Sequence, residues 1–247
     1  MNAWPEGYGL HVLDEVDSTL DEAARIAPRL TGPVWILAHR QTRGRARRGR
    51  AWSDPPGNLA ATLVMRPEGG VAQAALRSFV AALALFDACV AVTGRAEGLA
   101  LKWPNDVLLN GGKLAGILLE GVGAGGRMDW LSIGIGVNLA GVPDRVEEGA
   151  VRPVSLLSET GAEVTPEEFL AELAAAYARH EATFSARGFA PIRTLWLERA
   201  ARLGETVTAR TGTRETVGRF DSVDADGNLV LITARGREAI PAAEVHF

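Results

Sequence analysis

The apolar positions of this chain follow two periods. Residues 10–13 read as a short strand, and Asp17-Ser18-Thr19 then offer N-cap side chains ahead of a helix-spaced set, Leu20, Ala23, Ala24 and Ala27. An unbroken apolar run over residues 34–38, behind Pro33, predicts a buried strand. After the turn Pro55-Pro56-Gly57, residues 58–65 predict another. Residues 71–92 predict one long helix with a broad apolar face that takes in Cys89. Residues 99–103 form a strand closed by Pro104, and residues 107–120 a hairpin about Asn110-Gly111-Gly112. A strand over 129–139 follows. A helix over 166–187 is opened by Thr165-Pro166, with Glu167 and Glu168 near its positive end. Residues 192–202 predict a further helix.

The pattern changes after Leu203. The β-rich runs TVTAR, TVGRFDSV, NLVLITA and EAIPAAEV are separated by turn signals at Thr211-Gly212, Asp226-Gly227-Asn228 and Arg235-Gly236. Strands so closely spaced over about 45 residues predict a small antiparallel barrel. The expected organisation is a mixed α+β domain over residues 1–200 and a β module over 201–247.

Composition adds limits. With 47% hydrophobic and 23% charged residues the chain reads as globular. The apolar stretch over 79–92 is broken by Asp87 and reads as too short to span a bilayer. The N-terminus lacks the basic and apolar regions of a signal peptide, and the single cysteine points to a reducing compartment. A cytoplasmic protein is the expectation.

Charge sharpens the picture more. The net charge is −4, yet residues 39–50, HRQTRGRARRGR, hold six arginines and no acid. Three readings stand: a solvated loop, a nucleic-acid arm, or an anion-binding loop for a phosphorylated ligand. The third uses glycines to bring backbone N–H groups close and guanidiniums to bind oxygens in pairs. Aromatic residues are not interleaved, which weighs against the second. Of 26 basic residues only Lys102 and Lys113 are lysines, and they share one short segment, LKWPNDVLLNGGKLAGILLEG. If the hairpin pairs as predicted, both ammoniums face one site at the sheet's end, with Asp106 as a partner or a metal–phosphate ligand. The alternative is two surface lysines. In SIGIGVNLAG, Gly134 and Gly136 share a strand face, and Asn138 at its end has the donor and acceptor of a purine-edge reader. The chain has no P-loop, no dinucleotide fingerprint, no nucleophile elbow and no metal-ligand spacing among its histidines.

DSTLDEA, QTRGRARRGRAW, KWPNDVLL-x₃-KLAGILLE and GIGVNLAG occur in one order. With the tail IPAAEVHF, the sequence resembles the biotin protein ligases, biotin–[acetyl-CoA-carboxylase] ligases, over nearly its whole length. The resemblance implies a biotin/lipoate ligase-like α+β fold: a mixed, mostly antiparallel central sheet with helices on one face, then a small SH3-like β-barrel. It implies an enzyme that makes biotinyl-5′-AMP from biotin, ATP and Mg2+. The biotin then passes to a lysine of the biotin carboxyl carrier protein of acetyl-CoA carboxylase, or of other biotin-accepting carboxylase domains. The helix-turn-helix domain of the larger members finds no room ahead of residue 10, so DNA is not an expected partner, nor is a membrane; a homodimer is compatible.

Carried over position by position, Ser18, Thr19, Leu20 and Gln41 match the ring end of the biotin site, and Gly44, Arg45, Ala46 and Arg47 the loop that closes on it. Arg45 and Arg47 match the arginines on the carboxylate and the adenylate phosphate. Arg47, Lys102, Asp106 and Lys113 match the catalytic set, with Asp106 a candidate Mg2+ contact. Arg45, Arg47, Arg50, Trp52, Asn105 and Asn138 would serve the nucleotide, and Gly116, Gly134 and Gly136 would floor the pocket. Three positions depart from the family pattern: Leu20 stands where Asn is usual, Ala46 where Gly is usual, and Arg43 where a small residue is common. A methyl at position 46 would oppose positive φ and stiffen the loop. The competing readings are a lipoate ligase or octanoyltransferase on the same architecture, and a non-catalytic binding module.

Overall fold

The computed structural model describes residues 3–53, 55–124, 127–143, 151–211, 214–241 and 244–246. Seven strands form the main sheet: β1 (Gly9–Val16), β2 (Val34–Gln41), β3 (Leu59–Met65), β4 (Leu99–Lys102), β5 (Asp106–Leu109), β6 (Gly112–Ala124) and β7 (Arg127–Val137). Their order is β1-β2-β3-β7-β6-β5-β4. β1 and β2 run parallel, because α1 (Thr19–Ile26) crosses between them; every other neighbouring pair is antiparallel. The predicted Asn-Gly turn joins β5 to β6, with positive φ at both Asn110 (50°) and Gly111 (77°), as a type I′ turn requires.

The strands alternate their side chains between two faces. One face packs on α3 (Arg77–Thr93), α5 (Pro166–Arg187) and α6 (Phe189–Leu197), burying Trp35, Leu37 and Leu63 with Leu83, Tyr177 and Trp196. The other face takes α1, where Ile36 and Val64 meet Ala23 and Ala27. Helices therefore lie on both faces, not on one. α1 is amphipathic but short, and nothing in its sequence says which side of the sheet the crossover takes.

The predicted long helix is divided at Leu76 into α2 (Val71–Ala75) and α3. Together they run over Val71–Thr93, 23 residues of mean hydropathy 1.9, which does reach membrane-spanning length and composition. The expectation of a stretch too short to span is corrected in that respect. Its most apolar window is 61% buried against the sheet and α5, the setting of a core helix. α5 begins as expected, and Thr165 and Glu168 close a reciprocal capping box: Glu168 N–H donates to Thr165 Oγ1 (3.2 Å) and Thr165 N–H to Glu168 Oε2 (2.9 Å). α6 starts and stops earlier than expected: it begins right after Gly188, at φ 69°, and the chain beyond it turns at Arg202, at φ 63°. A further short helix, α4 (Leu156–Thr160), is capped by Ser155.

The C-terminal part is a five-stranded antiparallel sheet of β8 (Thr206–Thr211), β9 (Arg214–Val223), β10 (Leu229–Thr233), β11 (Gly236–Ile240) and β12 (Glu244–His246). The order is β11-β10-β9-β8-β12. The predicted turn at Thr211-Gly212 lies partly outside the described residues. Phe220, Leu229 and Leu231 join the same core as α3. Trp103 at the end of β4 donates its indole N–H to Gly227 O (3.0 Å), which seats this sheet beside the β4–β5 end of the main one.

Candidate active site

A cavity of about 840 Å³ opens on the α1 side of the main sheet. Its floor exists because three floor positions have no side chain. Gly116 of β6 pairs with Gly136 of β7, and Leu118 with Gly134. The Trp52 indole lies on the first pair: a Cβ added at Gly136 would stand 2.4 Å from Trp52 Cε2, and one at Gly116 3.3 Å from Cζ3. Leu20 lies on Gly134, where a Cβ would come within 3.0 Å of its side chain. The glycines therefore make room for two side chains of the chain itself, and those side chains become part of the floor.

One end of the cavity is polar and buried. Ser18 caps α1, accepting from Leu20 N–H at 3.3 Å. Gln41 Oε1 accepts from Thr19 N–H (3.0 Å) and from Thr19 Oγ1–H (3.1 Å), and Thr62 donates to Thr19 Oγ1 at 2.8 Å. Ser18 and Thr62 are fully buried. With its oxygen held by Thr19, the Gln41 amide keeps its N–H donors for a ligand acceptor. Beside this end the Arg25 guanidinium, and then the Ser18 N–H, hold the Asp17 carboxyl down at about 2. Thr62 carried no signal in the sequence: it stands in an apolar strand, and only the packing of α1 on β3 brings it to Thr19.

The basic loop is a small hairpin across the cavity. Arg45 bridges Ala51, Ala46 N–H donates to Arg50 O (2.8 Å), and Trp52 N–H to Gly44 O (2.9 Å). A Cβ at Gly44 would lie 2.8 Å from Trp52 O, so this close backbone approach accounts for that glycine. Ala46 has φ −119° and ψ 179°, extended backbone open to any residue. The expected steric objection to a methyl at position 46 does not arise; positive φ falls at Gly49 instead (72°). Arg45 reaches outward, its Nη2 standing 2.8 Å from Asp21 Oδ1 and 3.0 Å from Glu120 Oε2. Arg47 reaches inward, donating to Asn105 Oδ1 at 3.1 Å. Arg50 lines the cavity, with its Nε 3.4 Å from Arg47 O.

The other end is charged. Lys102 and Lys113 both line the wall. Asp106 is the register partner of Lys102 across β4–β5 and of Gly116 across β5–β6. Its Oδ1 stands 2.7 Å from Lys113 Nζ, an ion pair without hydrogen-bond geometry. The Lys113 ammonium also lies 5.8 Å from the Trp52 ring centroid. Asn105 Nδ2 donates to Ile117 O (2.7 Å), which fixes the carbonyl oxygen that Arg47 uses. Asn138 lines the cavity at the end of β7. It is buried, with Nδ2 donating to Val154 O (3.1 Å) and Oδ1 3.5 Å from Asn58 Nδ2. Its amide clasps the strand end to the 151–155 segment.

Among the described residues, no three His, Cys, Asp or Glu side chains gather into a metal cage. Asp106 supplies one buried carboxylate oxygen that has no hydrogen-bond donor. One carboxylate suits Mg2+, which retains waters and takes further ligands from phosphates. The arrangement thus pairs a donor-lined, buried end with a cationic end, joined by an aromatic and aliphatic floor. It can hold a ligand with a polar head, an apolar body and an anionic tail beside a polyphosphate.

The model of the biotin/lipoate A/B protein ligase family matches residues 13–138, and that of the biotin protein ligase C-terminal domain matches residues 203–247. A biotin–[acetyl-CoA-carboxylase] ligase of Paracoccus denitrificans is 57% identical over 238 residues, covering 96% of this chain and 99% of that one. This chain belongs to the biotin protein ligase family. Among solved structures, a biotin protein ligase of Aquifex aeolicus in complex with biotin and ATP superposes with a TM-score of 0.80 at 26% identity, covering 96% of this chain and 97% of the other. The bifunctional ligase/repressor BirA of Escherichia coli is 32% identical over 232 residues, which cover 92% of this chain and 70% of that protein. Membership in this ligase family makes biotin and ATP its substrates.

Proposed function

We propose that this chain activates biotin with ATP to biotinyl-5′-AMP and transfers the biotin to a lysine of a biotin carboxyl carrier protein. The observation that carries the reading is the cavity's polarity: Ser18, Thr19 and Gln41 at one end, and Arg47, Asn105, Asp106, Lys102 and Lys113 at the other, about one floor. Gln41 N–H groups suit the ureido carbonyl, and the Leu20–Trp52 surface suits the ring and valeryl chain. A lipoyl or octanoyl head has no carbonyl acceptor for Gln41, so the polar end favours biotin.

In the first step a biotin carboxylate oxygen attacks the α-phosphorus and pyrophosphate leaves. Both reactants are anions, so Lys113 and Arg47 offset their repulsion and the charge that grows at the phosphorus. Asn105 aims Arg47, and Asp106 aims Lys113. Asp106 would help hold the Mg2+ of MgATP, which would supply further charge neutralisation on the phosphates. In the second step the carrier's lysine amine attacks the acyl carbon, the C–O bond to phosphate breaks, and AMP leaves. The 42–52 hairpin keeps water from the mixed anhydride until then.

Residues 1–200 act in this reading as the catalytic unit, and residues 201–247, which bring Arg210 and Val245 to the cavity wall, as a small SH3-like barrel beside it. The alternating burial of β8 and β9 supports such a module. The reading includes a cytoplasmic enzyme with no nucleic-acid partner and room for a homodimer. Transfer of labelled biotin to a purified carrier domain, with and without ATP, tests it. ATP-dependent labelling is expected; binding of biotin without labelling, or equal labelling by lipoate, overturns it.

A further inference from the structure

The two arginines that line the cavity from either side of Ala46 face opposite ways. Arg47 turns in to Asn105, where the phosphates belong. Arg45 turns out and joins two elements that are otherwise apart, Asp21 on α1 and Glu120 on β6. Asp21 follows Leu20, the residue lying on Gly134. Glu120 is two positions beyond Leu118 on the same strand face, and Leu118 is the register partner of Gly134. The bridge thus spans the mouth above the end of the cavity that holds the ligand's head.

From this geometry we infer that Asp21 and Glu120 are positioning residues: with Arg45 they form a lock that fastens the basic hairpin over the head-group end and sets how long the acyl ligand stays. The inference rests on the biotin ligase reading and gives Arg45 a task other than touching the carboxylate. The backbone supports it, because the Arg45–Ala51 bridge and the Trp52-to-Gly44 hydrogen bond make the hairpin one unit, so a lock at Arg45 holds Trp52 on its glycines too. The three side chains are 37–41% exposed, so each pair alone is weak and screened by salt. Two carboxylates on one guanidinium also leave a negative excess at the mouth. Loss of one carboxylate therefore weakens the lock, and loss of both opens it.

The test uses the full chain and two readouts. In the first, trypsin cuts the ligand-free protein within residues 42–52. The Asp21→Asn/Glu120→Gln double variant should be cut about fivefold faster than wild type, with the difference vanishing at high salt. In the second, labelled biotin is released into excess unlabelled biotin. Release should quicken about fivefold in the double variant and in Arg45→Gln, and no further when all three changes are combined, as a shared interaction requires. The KM for ATP should stay within about twofold in the carboxylate variants. Cleavage and release at wild-type rates in the double variant would overturn the lock, as would an Arg45→Gln effect confined to the KM for ATP. Should wild type not bind biotin at all, the proposed function fails, and the tryptic comparison still decides the lock.

Discussion

Among the ion pairs of the described residues, Arg77–Glu181 and Lys113–Asp106 each join one cationic side chain to one carboxylate in different surroundings. Arg77 of α3 meets Glu181 of α5 in the core, with side chains 3% and 10% exposed. Arg77 Nε and Nη2 both donate to Glu181, Tyr177 O–H donates to its other oxygen at 3.2 Å, and the Phe184 ring lies 4.9 Å from the guanidinium carbon. Lys113 and Asp106 are 31% and 14% exposed and stand on a cavity wall. The first carboxylate has several donors on it; the second has an oxygen with no hydrogen bond. Similar charges form a clasp between helices where donors fill the carboxylate, and line a cavity where one carboxylate oxygen is left open.

The comparison breaks first at Lys113. Lys113→Ala should lower adenylate formation by about 10³-fold, since the lost charge faces the transition state in a site shielded from water. Pyrophosphate release from ATP and biotin measures this, and an unchanged rate removes Lys113 from the reaction. The variant also leaves the buried Asp106 Oδ1 without this ammonium, so the rate is taken per folded molecule.

Glu181→Ala should do the reverse. It leaves a buried guanidinium without its carboxylate and should cost about 3 kcal/mol of stability, read from urea unfolding. Adenylate formation per folded molecule should hold at low temperature. Stability equal to wild type would show that Arg77 is hydrated in place.

Between these lies the floor. Gly136→Ala puts a methyl where the Trp52 indole lies and should weaken biotin binding about tenfold, at modest cost in stability. Calorimetric titration with biotin is the measurement, and affinity equal to wild type would mean that Trp52 leaves the glycines when the ligand arrives. The smallest effect belongs to Ala46→Gly. Residue 46 is extended, so the change relieves no strain and should alter adenylate formation less than about twofold. A large gain would mean that the loop takes positive φ at this position during the reaction.

The helices and hairpins were legible where local chemistry decides them. Thr165-Pro166 with Glu168 starts α5, and Asn110-Gly111 turns β5 into β6, whatever surrounds them. Element ends set by packing were not: α6 begins and ends early, and α2 separates from α3 at Leu76. The site was legible as residue types in order, since guanidiniums, ammoniums and glycines with this spacing suit few chemistries. Which atoms each residue uses was not. Asn138 has the groups of a purine reader and engages them on Val154. Arg45 and Arg47 look alike in the chain and face opposite ways. Asp21, Thr62 and Glu120 carry no role that the sequence alone assigns, because a carboxylate on a helix and a hydroxyl in a strand are ordinary until a partner arrives from far along the chain.

By itself, then, the sequence determined the periods, the turns and the inventory of charges. Those depend on neighbours a few residues apart and on side-chain chemistry that needs no fold. Tertiary structure decided which face of the sheet α1 covers, which glycines admit which rings, and which of two similar carboxylates is filled with donors and which keeps an open oxygen. Those outcomes rest on contacts between residues scores of positions apart, such as Arg45 with Glu120 and Arg77 with Glu181, and local pattern carries no record of such distances.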